Sequence, residues 1–220
     1  MRFLYFAAIN SGDYKRFSKV YDGLARLGVP LNVWKRSHSQ LIKQLPQTGV
    51  LWVFGSGTGT ALKGIPKSLQ IVSVDASAHM EVKARKAFAH HQVLFVQDLF
   101  QELDLMNLPK PDAILFPYFL QMVEFADWQN FEAKLAALKL SKSPEFYVLD
   151  FVAPPELRIW QRMYIPVLLG FYAWASGQSA NRLSEWFAYL DGRGYRTLFR
   201  RTWLQGLVEF RRLQASERPQ

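Results

Sequence analysis

The run Val50-Leu51-Trp52-Val53-Phe54 stops at Gly55-Ser56-Gly57-Thr58-Gly59, and that junction constrains the chain more than any other stretch. An uninterrupted apolar run reads as a strand buried on both faces, the pattern of a parallel sheet. Glycines at every second position then permit a tight turn and let the backbone come close to a ligand. A helix opening after the loop would turn its free N–H groups towards the same point. The junction predicts a loop that holds a nucleotide-like cofactor, and the rest of the chain has to decide which one.

Further strands are expected at residues 71–75, 93–96, 113–116 and 145–151, with two closing strands at 195–203 and 207–213 around Gly206. Between them lie helical patterns. Tyr21, Leu24 and Leu27 mark a first helix, which Gly28 and Pro30 break. Leu31, Trp34, Leu41, Ile42 and Leu45 mark a second. The segment from Ala61 to Leu69 contains Gly64 and Pro66 and has room for only a turn or two. Ala76 to Ala89 is a helix with Ser77 near its start and Lys83, Arg85 and Lys86 towards its end. Phe131 to Leu140, Glu156 to Asn181 and Leu183 to Leu190 are also expected to be helical. Strands alternating with helices argue for a parallel, doubly wound α/β sheet. In such a sheet the ligand binds at the carboxyl ends of the strands. The glycine loop, Asp75, Asp98 and Phe116-Pro117-Tyr118 all fall at such ends. Two segments are expected: an N-terminal helical segment, 1–46, and an α/β domain, 47–220, with a helical lid insertion at about 154–181.

Composition narrows the chemistry. The 220-residue chain has no cysteine, which excludes disulfides and cysteine–zinc sites and suits a reducing, cytoplasmic compartment. Its four histidines include the adjacent pair His90-His91, which regular structure would point in different directions, so no metal site is expected. A net charge of +9 favours anionic partners. The cations are spread along the chain with no dense basic run, which disfavours nucleic acid and leaves peripheral contact with a membrane surface open. The apolar stretch Phe3 to Ile9 lacks the cleavage signal of a secretory leader, and Ile165 to Ala175 is too short to span a bilayer.

The loop itself separates three nucleotide-binding patterns. A phosphate-binding P-loop needs a Lys-Ser/Thr pair, which Gly55 to Leu62 lacks. A nicotinamide-binding loop needs Gly or Ala where Thr60 stands. The third pattern, Gly-x-Gly-x-Gly, is present. Together with Ile71-Val72-Ser73-Val74-Asp75-Ala76-Ser77, Val93-Leu94-Phe95-Val96-Gln97-Asp98 and Pro111-Asp112-Ala113-Ile114-Leu115-Phe116, it resembles, in order, the strand motifs of class I S-adenosylmethionine-dependent methyltransferases. The resemblance covers roughly residues 47–151 and implies a Rossmann-like, seven-stranded sheet with its last strand antiparallel and helices on both faces. It implies that Gly55, Ser56, Gly57 and Gly59 pack against the methionine and ribose portions of S-adenosylmethionine. Asp75 would accept from the ribose hydroxyls and Ala76 would lie under the adenine. Asp98 would accept from the adenine amino group, and the Leu99 N–H would face the ring. Phe116 and Pro117 would approach the methyl group. The family usually carries an acidic residue two places before the first glycine, where this chain has Val53. Read without the resemblance, Asp75 equally suits a helix cap and Asp98 a turn.

Methyl transfer to a sulfonium-activated carbon asks the protein mainly to position donor and acceptor, with a base only where the acceptor must lose a proton. Tyr118, just beyond the fourth strand, is the first candidate for that catalytic role; Tyr14, His38, Glu124 and Tyr164 follow. Val20-Tyr21-Asp22, the long insertion after Asp150-Phe151 and Arg200-Arg201-Thr202-Trp203-Leu204-Gln205-Gly206-Leu207-Val208 are loosely similar to the ubiquinone/menaquinone C-methyltransferase branch. In that branch the insertion covers the active site, so Trp160 and Tyr164 would line an apolar pocket for a small apolar or aromatic acceptor, lipid- or quinone-like included. The same aromatics also suit ordinary packing. The expected enzyme takes a small-molecule acceptor and works as a monomer or homodimer. A nicotinamide-dependent reductase and a non-catalytic cofactor-binding or interaction protein are the rival readings.

Overall fold

The protein was described from a computed structural model, in residues 31–154, 156–176, 183 and 185–215. The first expected helix, with Tyr21, Leu24 and Leu27, and the candidate Tyr14 lie outside those residues. The described elements are α1 (Leu31–Gln44), β1 (Gly49–Phe54), β2 (Leu69–Val74), α2 (Ala78–Ala87), β3 (Gln92–Val96), β4 (Ala113–Pro117), α3 (Phe125–Ala137), β5 (Glu145–Phe151), α4 (Ile159–Ser176), α5 (Trp186–Gly192), β6 (Tyr195–Trp203) and β7 (Val208–Ala215).

Seven strands form one sheet in the order β3-β2-β1-β4-β5-β7-β6. The pairs among β1 to β5 are parallel, and β7 runs antiparallel to both β5 and β6. This is the doubly wound arrangement the strand pattern implied, with the antiparallel last strand. Alternation along each strand sends side chains to two separate cores. Leu51, Val53, Ile71, Leu115, Tyr147 and Leu149 face α1 and the end of α2. Trp52, Phe54, Val72, Ile114, Phe116 and Val148 face α3 and α5. The second core is dominated by aromatic rings: Phe54 stacks on Phe116 at 5.1 Å, with Phe131 and Trp128 edge-on or tilted beside them.

Local chemistry explains the boundaries. Ser77 caps α2, its Oγ accepting from Met80 N, with Glu81 in the first turn and Arg85 and Lys86 in the last, as the helix dipole favours. The crossover after the glycine loop shrinks to one 3-10 turn, Thr60–Leu62, ahead of Gly64 and Pro66. Several bounds shift by a few residues, β2 to Leu69–Val74 and α5 to Trp186–Gly192 among them, and the largest shift is that α3 begins at Phe125, not at residue 131, and ends at Ala137. Its buried face is Trp128, Phe131 and Leu135, so it has to begin early enough to carry Trp128 into the aromatic core. Lys139 in the left-handed region (φ 46°) stops it. α1 buries Val33 and Leu41, and Leu45 just after it joins them, in the same core as the strands.

Asp150, near the end of β5, is fully buried. Its Oδ2 accepts from Leu120 N at 2.8 Å and its Oδ1 from Phe151 N at 2.8 Å, which ties the turn after β4 to the end of β5. Among the described residues no cation offsets the desolvation of the carboxyl, and burial raises it to about 7 despite these N–H donors. A folded-state value above the ordinary 3.8 means that the native protein holds this proton more tightly than the unfolded chain. Stability contributed by the neutral acid is complete below pH ~4 and is lost as pH rises towards ~7, at a slope approaching ~1.4 kcal/mol per pH unit. Urea unfolding of Asp150→Asn across this range is expected to lack that component. A parallel pH dependence in variant and wild type would refute the assignment.

Candidate functional site

The carboxyl ends of β1, β2 and β3 are joined by backbone bonds that continue the sheet into the loops. Gly55 N donates to Val74 O at 2.9 Å, and Asp75 N to Val96 O at 3.1 Å. All three loop glycines have positive φ: 65° at Gly55, 54° at Gly57 and 68° at Gly59. Two of them are also close-packed. A Cβ at Gly59 would meet Ala87 Cβ at 2.9 Å, and one at Gly55 would overlap the ring of Phe119, whose Cγ lies 3.0 Å away. The loop thus sits between α2 on one side and the turn after β4 on the other.

Asp75 holds this loop in place. Its Oδ2 accepts from Gly57 N at 2.8 Å and its Oδ1 from Ser77 N at 2.9 Å. The helix cap proper is Ser77, so Asp75 spans loop and helix entry. Burial raises its carboxyl above the ordinary range while the two N–H donors pull it back. A carboxylate offers about four lone-pair positions, so these two bonds leave acceptor capacity for further donors. Ser56 lies buried beneath the loop and accepts from Ser73 Oγ at 2.8 Å. Ser73 pairs with Val53 across β1 and β2. Val53 itself is fully buried in the apolar core. Where the family pattern has an acid, this chain therefore has an apolar side chain with a hydroxyl pair alongside.

At the end of the next strand, Asp98 is half-buried and its Oδ1 accepts from Leu99 N at 2.8 Å, so that N–H is already engaged. Ala76 is exposed beside Asp75. Phe116 points away from this edge, into the aromatic core under α3, and Pro117 is the buried last residue of β4. Tyr118 follows in a left-handed conformation, φ 54°. Such backbone costs on the order of 1–3 kcal/mol in a non-glycine residue and persists only where its surroundings enforce it. Here they do: Tyr118 N donates to Leu149 O at 2.6 Å, and the ring packs on Phe151 at 5.1 Å and on His38 at 5.7 Å. Its OH lies 3.4 Å from Ser37 Oγ. Burial pushes the Tyr118 phenol above its ordinary range, which makes it a poor base.

The structure brings His38 and Tyr164 to either side of Tyr118, and the Trp160 ring lies against that of Tyr164 at 6.1 Å. Tyr164 turns inward from α4 to pack against the first core, with its phenol pushed up to about 12 by burial. Trp160 lies at the surface, donating to Gln205 Oε1 at 3.0 Å. Glu124 precedes α3 and is exposed. Sequence reasoning gave no role to Phe119, Ser73 or Asp150. The last two carried a visible signal, as polar residues inside apolar strands. Among the described residues no group of three His, Asp or Glu side chains is arranged to hold a metal ion.

No protein-family model matches this sequence, and no curated protein matches it. Solved structures do. The mitomycin 7-O-methyltransferase MmcR is similar over 98% of this chain and 61% of its own, at 11% identity and a TM-score of 0.67. CalO1, a methyltransferase in calicheamicin biosynthesis in its S-adenosylhomocysteine-bound form, is similar over 96% of this chain and 61% of its own, at 17% identity and a TM-score of 0.62. The N-methyltransferase NodS from Bradyrhizobium japonicum WM9, in complex with S-adenosyl-L-homocysteine, is similar over 83% of this chain and 87% of its own, at 10% identity and a TM-score of 0.57. This chain spans less than two thirds of the first two. Likeness at such identities establishes the fold they share.

The contact between Gly55 and Phe119 has a measurable signature. Gly55→Ala is expected to cost about 2–4 kcal/mol, from overpacking and positive φ together. In a Phe119→Ala background the cost is expected to fall by about 1–3 kcal/mol, the overpacking part, in a double-mutant cycle of unfolding free energies. Equal costs in both backgrounds would show that the ring does not press on the loop.

Proposed function

We propose that this protein is an S-adenosylmethionine-dependent methyltransferase acting on a small apolar or aromatic acceptor. One observation carries the reading. Asp75, at the end of β2, grips the glycine loop at the end of β1 and still has acceptor capacity, in a sheet whose order and antiparallel β7 are those of the methyltransferases it resembles. Two of those structures are described with the demethylated cofactor bound.

The residues present suit the cofactor in part. Asp75 would take the ribose hydroxyls, since an ionised carboxylate has only acceptors to offer two O–H donors. Gly55, Ser56, Gly57 and Gly59 would present backbone to the methionine portion, with Ala76, Asp98 and Leu99 around the adenine. Phe116 and Pro117 would act through the backbone at the end of β4, because the Phe116 side chain is committed to the core. The buried apolar Val53 cannot bind the cofactor's ammonium, which falls to loop carbonyls. When bound, the cofactor supplies a methyl group already activated on a sulfonium. The protein's work is to hold the acceptor in line and to exclude water.

Tyr118, with its raised phenol, would orient the acceptor, and Tyr164 would cover it from the lid. A quinone- or lipid-like acceptor is the finer reading. It is supported by the outward face of α4, where Ile159, Met163 and Val167 are exposed alongside Arg158 and Arg162. No described helix is long and apolar enough to cross a membrane, so contact with a bilayer would be peripheral. A cytoplasmic, monomeric or homodimeric enzyme completes the proposal. Val53 favours one rival, a non-catalytic protein that binds the cofactor weakly.

S-Adenosylhomocysteine is expected to raise the melting temperature, and NADPH is not. Asp75→Asn is expected to weaken S-adenosylhomocysteine binding roughly 10- to 100-fold by calorimetry, the scale of hydrogen bonds to a charged acceptor. Unchanged affinity would remove Asp75 from the site, and stabilisation by NADPH alone would favour a reductase.

A further inference from the structure

α1 buries two polar side chains, Ser37 and His38, within a stripe of Val33, Leu41 and Leu45. His38 is 3% exposed. Its Nδ1 lies 2.7 Å from Trp34 O. A carbonyl only accepts, so Nδ1 carries the proton. Burial lowers the imidazole to about 4 and keeps it neutral. Nε2 is therefore a bare lone pair, buried, with no donor among the described residues. Leaving a buried acceptor in that state is costly.

A complementary unpaired group lies on the other side of Tyr118. The Tyr164 hydroxyl is buried and lacks a partner among the described residues. It sits near enough to Tyr118 to disfavour ionisation of that phenol. Tyr118 is itself engaged: Ser37 Oγ donates to Trp34 O at 3.0 Å, so the Tyr118 O–H is the donor in its bond to Ser37. One unused acceptor and one unused donor thus flank the same tyrosine ring. The next residue, Phe119, rests on Gly55 of the glycine loop. A neutral hydroxyl is the group that needs both, an acceptor for its proton and a donor for its lone pair. Trp34, whose ring is 4.2 Å from His38, and Tyr118 at 5.7 Å give the imidazole aromatic surroundings suited to a flat ring, and Tyr164 has the Trp160 ring beside it at 6.1 Å.

We propose that the acceptor is a phenolic hydroxyl, bound with its O–H on His38 Nε2 and its oxygen on the Tyr164 hydroxyl, and that His38 takes the proton as the oxygen is methylated. This rests on the methyltransferase reading above. As the O–CH3 bond forms and the C–S bond breaks, the electron pair of the broken bond stays on sulfur. The O–H proton passes to Nε2, so one positive charge moves from sulfonium to imidazole and the donor leaves neutral. A methylated oxygen that still carries its proton is a far stronger acid than an imidazolium, even one disfavoured by burial, so a weak base suffices. His38 is then a catalytic residue on a helix that precedes the whole sheet.

The test reads His38 directly. In protein labelled with 15N-histidine and loaded with S-adenosylhomocysteine, the His38 Nε2 resonance, identified by its loss in His38→Asn, is expected to move on adding phenol, catechol or 2-naphthol. It is expected to stay put with anisole, which has the ring and no O–H. No shift with any of the three phenols, or an equal shift with anisole, overturns the proposal. A phenol that moves the resonance is then used in turnover. His38→Asn keeps a donor for Trp34 O and loses the Nε2 acceptor, and it is expected to lower methylation of that phenol roughly 10²- to 10⁴-fold. Thiophenol, which ionises unaided, is expected to suffer far less; equal loss with both acceptors marks a structural role and overturns the proposal. His38→Gln repeats the comparison should the Asn variant fail to fold. Absence of any stabilisation by S-adenosylhomocysteine in the wild type refutes the methyl-donor reading instead, and the phenol titration without it still reports on His38.

Discussion

The site hangs on one carboxylate. Asp75 gathers the Gly57 N–H from one loop and the Ser77 N–H from the next helix, so two segments that leave neighbouring strands are fixed to a single side chain. Such an arrangement needs burial to be effective. In low dielectric a hydrogen bond to an ionised group is stronger, and an unpaired one is more costly. The three glycine amides of the loop are accordingly used within the protein. Gly55 N goes to Val74, Gly57 N to Asp75 and Gly59 N to Ser56. What the loop can present to a ligand is therefore the backbone surface that its glycines leave uncovered, in addition to the spare lone pairs of Asp75.

A second carboxylate repeats the device two strands away. Asp150 holds the turn after β4 through backbone N–H groups, without a cation. The protein's many arginines are used elsewhere. Arg211 pairs with Glu209 and Asp191, Arg212 with Glu145, and Arg193 with Glu132, all on the β5, β6 and β7 side of the molecule. Ion pairs brace the closing strands, while N–H dipoles brace the strand ends where the site lies.

Much of this was legible in the residues. The parallel strands announce themselves as apolar runs, β5 and β6 with their observed limits, and Ser77 marks the entry of α2. The ends of β1, β2 and β3 could be placed together because strand order follows from the motifs. Other features were not legible, for physical reasons. Which face a strand residue occupies depends on parity against two cores that look alike in sequence, so Phe116 could not be assigned to the α3 side in advance. α3 begins ahead of the expected position because tertiary packing of Trp128 decides it. The meeting of His38 with Tyr118 joins residues 80 positions apart by number, on a helix and a strand end with no shared local pattern. Ser73 and Asp150, polar residues in apolar runs, were signals available to be read.

The contact of Phe119 with Gly55 makes neighbours of two loops that sequence comparison would treat as separate modules. One carries the glycines and the other leads out of β4 towards Tyr118 and α3. Because the ring fills the space a side chain at residue 55 would need, drift at either position limits what the other tolerates. Replacing the turn after β4 with one from a relative, to change what the protein accepts, would carry a different surface onto the glycine loop. The two loops form one packed unit, and a change of shape in either has to be matched in the other.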